Sequence, residues 1–204
     1  MHQKSFIWIF VLVVVVAPIL VFTGVKWYEN RYSGLPVLGG PDHTVAAFNA
    51  VNAESRAVTL DDWNDKIVVV DFFFTRCPTI CPKMTRNMQK VQQAFAGNND
   101  LSFNSFSIDP VRDSAATLSA FAKKNKIEQA NWNLLTGDKK HIYWLARKSF
   151  MVTATDGDGE DGDFIHSDLF VLVDRQKRIR GYYSGTDDKA MQQLIRDIKK
   201  LMNE

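Results

Sequence analysis

The chain contains two cysteines, Cys77 and Cys81, and the second follows the first by four positions. Positions i and i+4 lie on one face of a helical turn, so the two sulfurs can converge on one point. Such a pair can close a disulfide or chelate one metal ion. Pro78 and Pro82 restrict the backbone beside the cysteines and are tolerated at a helix start. The spacing therefore predicts a redox or metal pair, with two inert buried thiols or a structural disulfide as the alternative.

An apolar strand and an amphipathic helix flank this pair in the sequence. Residues 68–74 are almost continuously apolar, which is typical of a strand covered on both faces. After the pair, apolar residues recur every three or four positions, as on the buried face of a helix, at Met84, Met88, Val91 and Phe95. The cysteines thus fall at a strand-to-helix junction. A helix N-terminus there favours the thiolate, the form that attacks disulfides and binds metals.

Short strands alternate with helices along the rest of the chain. Strand patterns occur at residues 45–59, as a hairpin, and at residues 101–108, 132–135, 170–173 and 179–183. Helical patterns occur at residues 114–125, with Ser114 as the cap, and at residues 138–150 and 187–202. This alternation predicts an α/β fold with helices on both faces of one sheet.

The N-terminal region predicts attachment to a membrane. Residues 6–25 carry no charge and are long enough to cross the hydrocarbon core of a bilayer as a helix. We therefore predict an anchor within residues 1–30, a linker rich in Gly and Pro at residues 31–44, and one domain at residues 45–204. A cleaved signal peptide is the alternative, but no small-residue cleavage site follows closely. The formal net charge of +2 is too small for a nucleic-acid-binding surface.

Three other polar features have simpler interpretations. His43 lies in the linker and His141 in a helix, and both are predicted to be solvated. The acidic stretch at residues 156–163 has Asp161 where a calcium loop has its glycine, so we predict a flexible acidic loop near the site. Asp71 interrupts the apolar strand. It is expected to have a partner, because burying an unpaired charge is costly.

His166 is the candidate third group, since it lies in residues 164–168, immediately before the apolar strand at residues 169–173, and could lie near the cysteine loop. Thiolates suit Cu(I), and an added imidazole gives a site that can also hold Cu(II). Taken alone, however, His166 is better explained as a hydrogen-bonded structural histidine.

Four motifs resemble those of the Sco/SenC family in order and spacing: TRCPTICPKMT at residues 75–85, SIDPVRD at 107–113, FIHSDLFVLVD at 164–174 and IRGYYSG at 179–185. That family consists of membrane-anchored, thioredoxin-like proteins that assemble the copper centre of cytochrome c oxidase. The resemblance implies a thioredoxin-like α/β fold, with a central mixed sheet flanked by helices. It also implies that Cys77, Cys81 and His166 bind copper, as Cu(I), Cu(II) or both.

The resemblance implies a location as well, with one pass through the inner membrane and the domain on the periplasmic or extracytoplasmic side. Some members carry an aspartate directly before the histidine, where this chain has Ile165. The residue that would orient the imidazole is therefore not assigned; the candidates are Asp163, Asp168 and Asp71.

The leading functional hypothesis is a metallochaperone rather than a turnover enzyme. It would receive copper from a donor chaperone and pass it to the copper-binding subunit of cytochrome c oxidase, or to another acceptor, by stepwise ligand replacement. A thiol–disulfide reductase is the second hypothesis, with Cys77 attacking the target disulfide and Cys81 resolving the mixed disulfide. A copper or redox sensor is the third.

Overall fold

The structure, a computed structural model, describes residues 8, 10, 12–32, 34–40, 42–128, 130–153 and 167–204. The chain divides into two units, residues 1–34 and residues 35–204. In the first, wide helical turns at Leu12–Val16 lead into helix α1 (Ala17–Tyr32). No helix within the described residues is both long enough and apolar enough to span a bilayer. The structure therefore does not support the predicted membrane span at residues 6–25, of which residues 6, 7, 9 and 11 lie outside the described ones.

The second unit is built on one mixed sheet of seven described strands, in the order β2-β1-β5-β4-β3-β6-β7. The strands are β1 (Asn49–Asn52), β2 (Ala57–Thr59), β3 (Ile67–Phe73), β4 (Leu101–Ser107), β5 (Trp132–Thr136), β6 (Leu169–Val173) and β7 (Ile179–Ser184). Strands β3, β4 and β5 are parallel to one another, and the other neighbouring pairs are antiparallel. This mixed sheet confirms the predicted fold class.

Helices cover both faces of the sheet, and β3 shows why. Its side chains alternate, with Val69 and Phe73 in one apolar cluster and Val68 and Val70 in the other. Helices α2 (Cys81–Ala94), α3 (Ala115–Asn125) and α5 (Asp188–Leu201) pack on the first face, and α4 (Lys139–Trp144) packs on the second. The apolar run in β3 therefore marks a strand buried on both sides.

One edge of the sheet gathers the loops that carry the cysteines. Because β3, β4 and β5 are parallel, their C-terminal ends lie at the same edge. Strand β6 is antiparallel to β3, with Val70 opposite Val171, so β6 begins at that edge. Strand β7 ends there, since Ser184 pairs with Leu169. We call this the cysteine edge.

A buried arginine organises the opposite edge. Arg180 on β7 donates hydrogen bonds to the carboxylates of Asp174 at 2.9 Å and Glu204 at 2.8 Å. The same guanidinium donates to the backbone carbonyls of Leu35 and Pro36, at 2.6 and 3.1 Å. The start of the unit is therefore fixed beside the C-terminus of the chain, away from the cysteines.

The two predictions of a solvated histidine, at His43 and His141, are wrong, whereas the helix predicted at residues 138–150 is confirmed. His43 is partly buried rather than solvated, and its Nε2 lies 2.8 Å from the carbonyl oxygen of Ser149. The predicted helix at residues 138–150 is α-helical only to Trp144 and widens over Leu145–Ser149, where the N–H of Phe150 donates to the carbonyl of Leu145. His141 in this helix is partly buried rather than solvated, and its ring stacks on that of Trp144 with centroids 6.0 Å apart.

Candidate functional site

The two cysteines face each other at the junction of β3 and α2. Cys77 lies in the connecting loop and Cys81 is the first residue of α2; both are free thiols and both are buried. The backbone N–H of Cys81 donates to the Cys77 sulfur at 3.4 Å, and the Thr79 hydroxyl lies 3.9 Å from the same sulfur. The four-residue spacing thus places the first sulfur against the N-terminus of a helix, where a thiolate is stabilised.

The two thiols have unequal acidities. Burial acts to raise the pKa of Cys77, but hydrogen bonds from the thiol and N–H of Cys81 and from Thr79 lower it overall. The pKa of Cys81 is strongly raised, first by burial and then by the hydrogen bond that its thiol gives to Cys77. Of the two thiols, Cys77 therefore loses its proton more readily, and Cys81 retains its proton more strongly.

A buried aspartate holds the cysteine loop in place. The Asp113 side chain is 1% exposed and accepts three hydrogen bonds: from the Thr75 N–H at 3.0 Å, the Thr75 hydroxyl at 2.6 Å and the Ser107 hydroxyl at 2.6 Å. These contacts tie the loop after β4 to the loop that leads into Cys77. Sequence reasoning missed this role, although an aspartate six residues after a strand-end serine was a usable signal.

Asp71 has the partner that its position in an apolar strand required. The Ser105 hydroxyl donates to Asp71 Oδ1 and accepts the indole N–H of Trp132 at 2.8 Å. Burial nevertheless raises the pKa of Asp71 to about 7, against the lowering effect of the Ser105 hydrogen bond. When ionised, Asp71 also raises the pKa of Cys81, so this carboxyl is electrostatically linked to the thiol pair.

The third predicted ligand, His166, lies outside the described residues, as do Asp163, Ile165 and the acidic stretch at residues 156–163. Of the candidate partners for that histidine, Asp168 directly precedes β6 and so lies at the cysteine edge. Its Oδ2 accepts hydrogen bonds from Ser184 at 2.5 Å and Thr186 at 2.8 Å. In the part of the chain that the structure describes, no three His, Cys, Asp or Glu side chains form a cluster that could hold a metal ion.

Comparison with known proteins gives this dithiol its context. The family model described as SCO1/SenC matches residues 38–203, which is most of the chain. The chain belongs to the SCO1/SenC family. The SCO1 protein homolog of Bacillus subtilis (strain 168) is 32% identical to it over 160 residues, which cover 78% of this chain and 82% of the homolog. Mitochondrial relatives are longer, and the alignment covers 56% of the mouse SCO1 homolog.

Solved Sco structures share the fold. The structure that identified a disulfide switch in BsSco, a member of the Sco family of cytochrome c oxidase assembly proteins, has a TM-score of 0.70 and 30% identity; the match covers 83% of this chain and 97% of BsSco. Bradyrhizobium japonicum ScoI, solved with copper bound, has a TM-score of 0.61 and 24% identity, over 78% of this chain and 99% of ScoI. At that identity the second likeness shows the fold alone.

Proposed function

We propose that this SCO1/SenC protein is a copper metallochaperone that helps to assemble the copper centre of cytochrome c oxidase. The observation that carries the proposal is the pair of free thiols at the start of α2, with the Cys77 sulfur facing the N–H of Cys81. Copper is cargo in this function, so the site must hold it firmly and release it to another protein.

The donor atoms suit that cargo. Two polarizable sulfurs favour Cu(I), and the lowered pKa of Cys77 makes it easier for that thiol to lose its proton to an incoming metal. His166 is the proposed third ligand. It lies three residues before Leu169, the first residue of β6, and β6 begins at the cysteine edge.

Transfer proceeds by ligand exchange. A cysteine of the acceptor bonds to copper as one ligand of this chain leaves, and repetition moves the ion with no free intermediate and no change of oxidation state. Cys81 is the thiol of higher pKa, so a proton returns to it readily when its sulfur leaves copper. The acceptor is proposed to be the copper-binding subunit of the oxidase or another cupro-protein, and a donor chaperone supplies the ion.

A second function is favoured by the unequal acidities of the pair. The Cys77 thiolate attacks one sulfur of a target disulfide, forming a mixed disulfide and releasing a target thiolate. Cys81 then loses its proton and attacks Cys77, which closes the Cys77–Cys81 disulfide and frees the second target thiol. Each round of exchange reduces one target disulfide and oxidises the Cys77–Cys81 dithiol. The disulfide switch reported for BsSco is consistent with such chemistry.

Membrane attachment through residues 6–25 is part of the proposal and rests on the uncharged sequence of that segment. Fractionation of cells expressing the full chain and a variant lacking residues 1–30 tests it. The full chain is expected in the inner membrane after a carbonate wash, and the shortened chain in the periplasmic fraction only if a secretion signal is supplied. Recovery of the full chain in the soluble fraction would contradict the anchor.

The copper function is tested by titrating the reduced full chain in detergent with Cu(I) under a competing chelator. One ion per chain is expected, lost in Cys77→Ser and in Cys81→Ser and held more weakly in His166→Ala. Lys124→Ala, on the exposed face of α3, is the matched control and should bind like the wild type. No tight copper, together with ready reduction of a peptide disulfide, would instead favour the second function.

A further inference from the structure

Two exposed apolar side chains flank the dithiol at the cysteine edge. Ile80 lies between the two cysteines in sequence and is 37% exposed, and Val111, in the loop after β4, is 84% exposed. The hydrogen bonds between Thr75 and Asp113 hold these two loops together. Single exposed apolar residues are common on protein surfaces, so the charges around them decide what this surface can bind.

Four exposed cations lie within a few residues of the cysteines or of Val111 in the sequence: Arg76, Lys83, Arg86 and Arg112. We call them the basic collar. Arg76 directly precedes Cys77, Lys83 and Arg86 follow Cys81 within the first two turns of α2, and Arg112 lies beside Val111. Among the described residues, Arg112 is in an ion pair, with Asp109 at 3.2 Å, and the other three are in none.

The segment that carries both cysteines, residues 72–99, contains no carboxylate side chain. Asp113 is buried and bonded to Thr75 and Ser107, while Asp168 accepts from Ser184 and Thr186. Asp188, at the start of α5, is paired with Lys90 at 3.0 Å. The exposed side chains of this cysteine-bearing segment are therefore apolar, neutral or positive.

We propose that the cysteine edge is a docking surface for a protein whose own cysteine pair lies within an acidic segment. This inference rests on the proposed function and names the charge of its partner. Ligand or disulfide exchange requires sulfurs of both proteins to come within bonding distance, so residues next to the partner's cysteines must meet the collar. Opposite charges there raise the encounter rate, and Ile80 and Val111 contribute apolar contact once the proteins meet.

The test compares three synthetic acceptor peptides that share one Cys-x-x-x-Cys core and differ in flanking residues, which are Glu, Gln or Lys. Copper transfer from the Cu(I)-loaded full chain in detergent is followed by stopped flow at low and high salt. We expect transfer to the Glu peptide to be roughly tenfold faster than to the Gln peptide and slowest to the Lys peptide, with differences that shrink as salt screens them.

Charge reversal localises the effect. Arg76→Glu/Arg86→Glu is expected to reverse the order of the three peptides. Lys124→Glu/Lys199→Glu makes the same change of charge at exposed positions in the last turns of α3 and α5, at the opposite edge, and should leave the order unchanged. Both variants change only exposed side chains, so both should fold.

The outcomes separate this inference from the function on which it rests. If the chain binds no copper, or passes it to none of the peptides, the copper function fails, and the same peptides are then supplied as disulfides to the reduced chain. Rates that decrease from the Glu peptide to the Gln peptide to the Lys peptide, in either reaction, support the docking surface. Equal rates for all three peptides overturn it. Fastest exchange with the Lys peptide also overturns it, and would indicate that the acidic segment at residues 156–163 controls this face.

Discussion

The sulfur of Cys77 accepts the backbone N–H of Cys81, 3.4 Å away, so the dithiol is asymmetric before any partner arrives. The pKa of Cys81 is raised first by burial and then by the hydrogen bond that its thiol donates to Cys77, and the same hydrogen bond helps to lower the pKa of Cys77. In both proposed reactions Cys77 acts first.

This asymmetry predicts the order of chemical labelling. At pH 7, iodoacetamide should modify Cys77 at least roughly tenfold faster than Cys81, because each unit of pKa changes the thiolate fraction about tenfold. Peptide mass mapping of briefly labelled, reduced protein measures the ratio. Cys77→Ser should leave Cys81 slow to react. Preferential labelling of Cys81 would reverse the roles assigned to the two thiols.

Asp113 should be the most costly carboxylate to remove near the site. Asp113→Ala leaves the buried Thr75 N–H and the hydroxyls of Thr75 and Ser107 without their acceptor, and is expected to lower the free energy of unfolding by about 3 kcal/mol. Urea denaturation checks this. Asp109→Ala removes a partly exposed ion pair in the same loop and should cost no more than about 1 kcal/mol. Equal effects would mean that Asp113 does not hold the loop.

The buried contacts of Arg180 at the opposite edge lead us to expect that its replacement destabilises the fold. Arg180→Met leaves Asp174 with Arg178 as its ionic partner and frees Glu204 and the carbonyls of Leu35 and Pro36. The free energy of unfolding is expected to fall by about 3 kcal/mol. Arg196→Met, on the exposed side of α5, should change stability by less than about 0.5 kcal/mol. A small effect at Arg180 would show that residues 35–38 are not fixed by this cluster.

Asp71 predicts how stability depends on pH. Its folded pKa of about 7 lies above the usual carboxyl value, so the unfolded chain releases this proton first as the pH rises. The contribution of Asp71 is largest below about pH 4 and is lost as the pH rises through about 7, a change of up to about 4 kcal/mol. Asp71→Asn should remove this slope in urea denaturation between pH 5 and pH 8. A wild type and a variant with identical pH profiles would contradict the raised pKa.

The sequence predicts the framework of this domain well, because the framework depends on apolar periodicity. The doubly covered strand β3, the amphipathic helix after it and the Ser114 cap, which accepts from the N–H of Thr117, are all local patterns that the structure reproduces. The same patterns correctly predict that the cysteines lie between a strand and a helix.

Contacts between distant residues are what the sequence does not predict. The hydrogen bond of His43 joins residues 106 positions apart, and the bonds of Thr75 to Asp113 span 38. Local composition made His43 look like part of a linker, whereas packing against Ser149 buries it in part. The widened helical turn before Phe150 has a similar cause, since Phe150 packs against Phe72 and Phe106 on β3 and β4.

The most direct test of the copper site is X-ray absorption at the copper edge, applied to the full chain loaded with one Cu(I). The expected coordination is two sulfurs and one nitrogen, with one sulfur lost in Cys77→Ser or Cys81→Ser and the nitrogen lost in His166→Ala. An unchanged nitrogen in His166→Ala would remove that residue from the site. Fewer than two sulfurs in the wild-type chain would contradict the account itself.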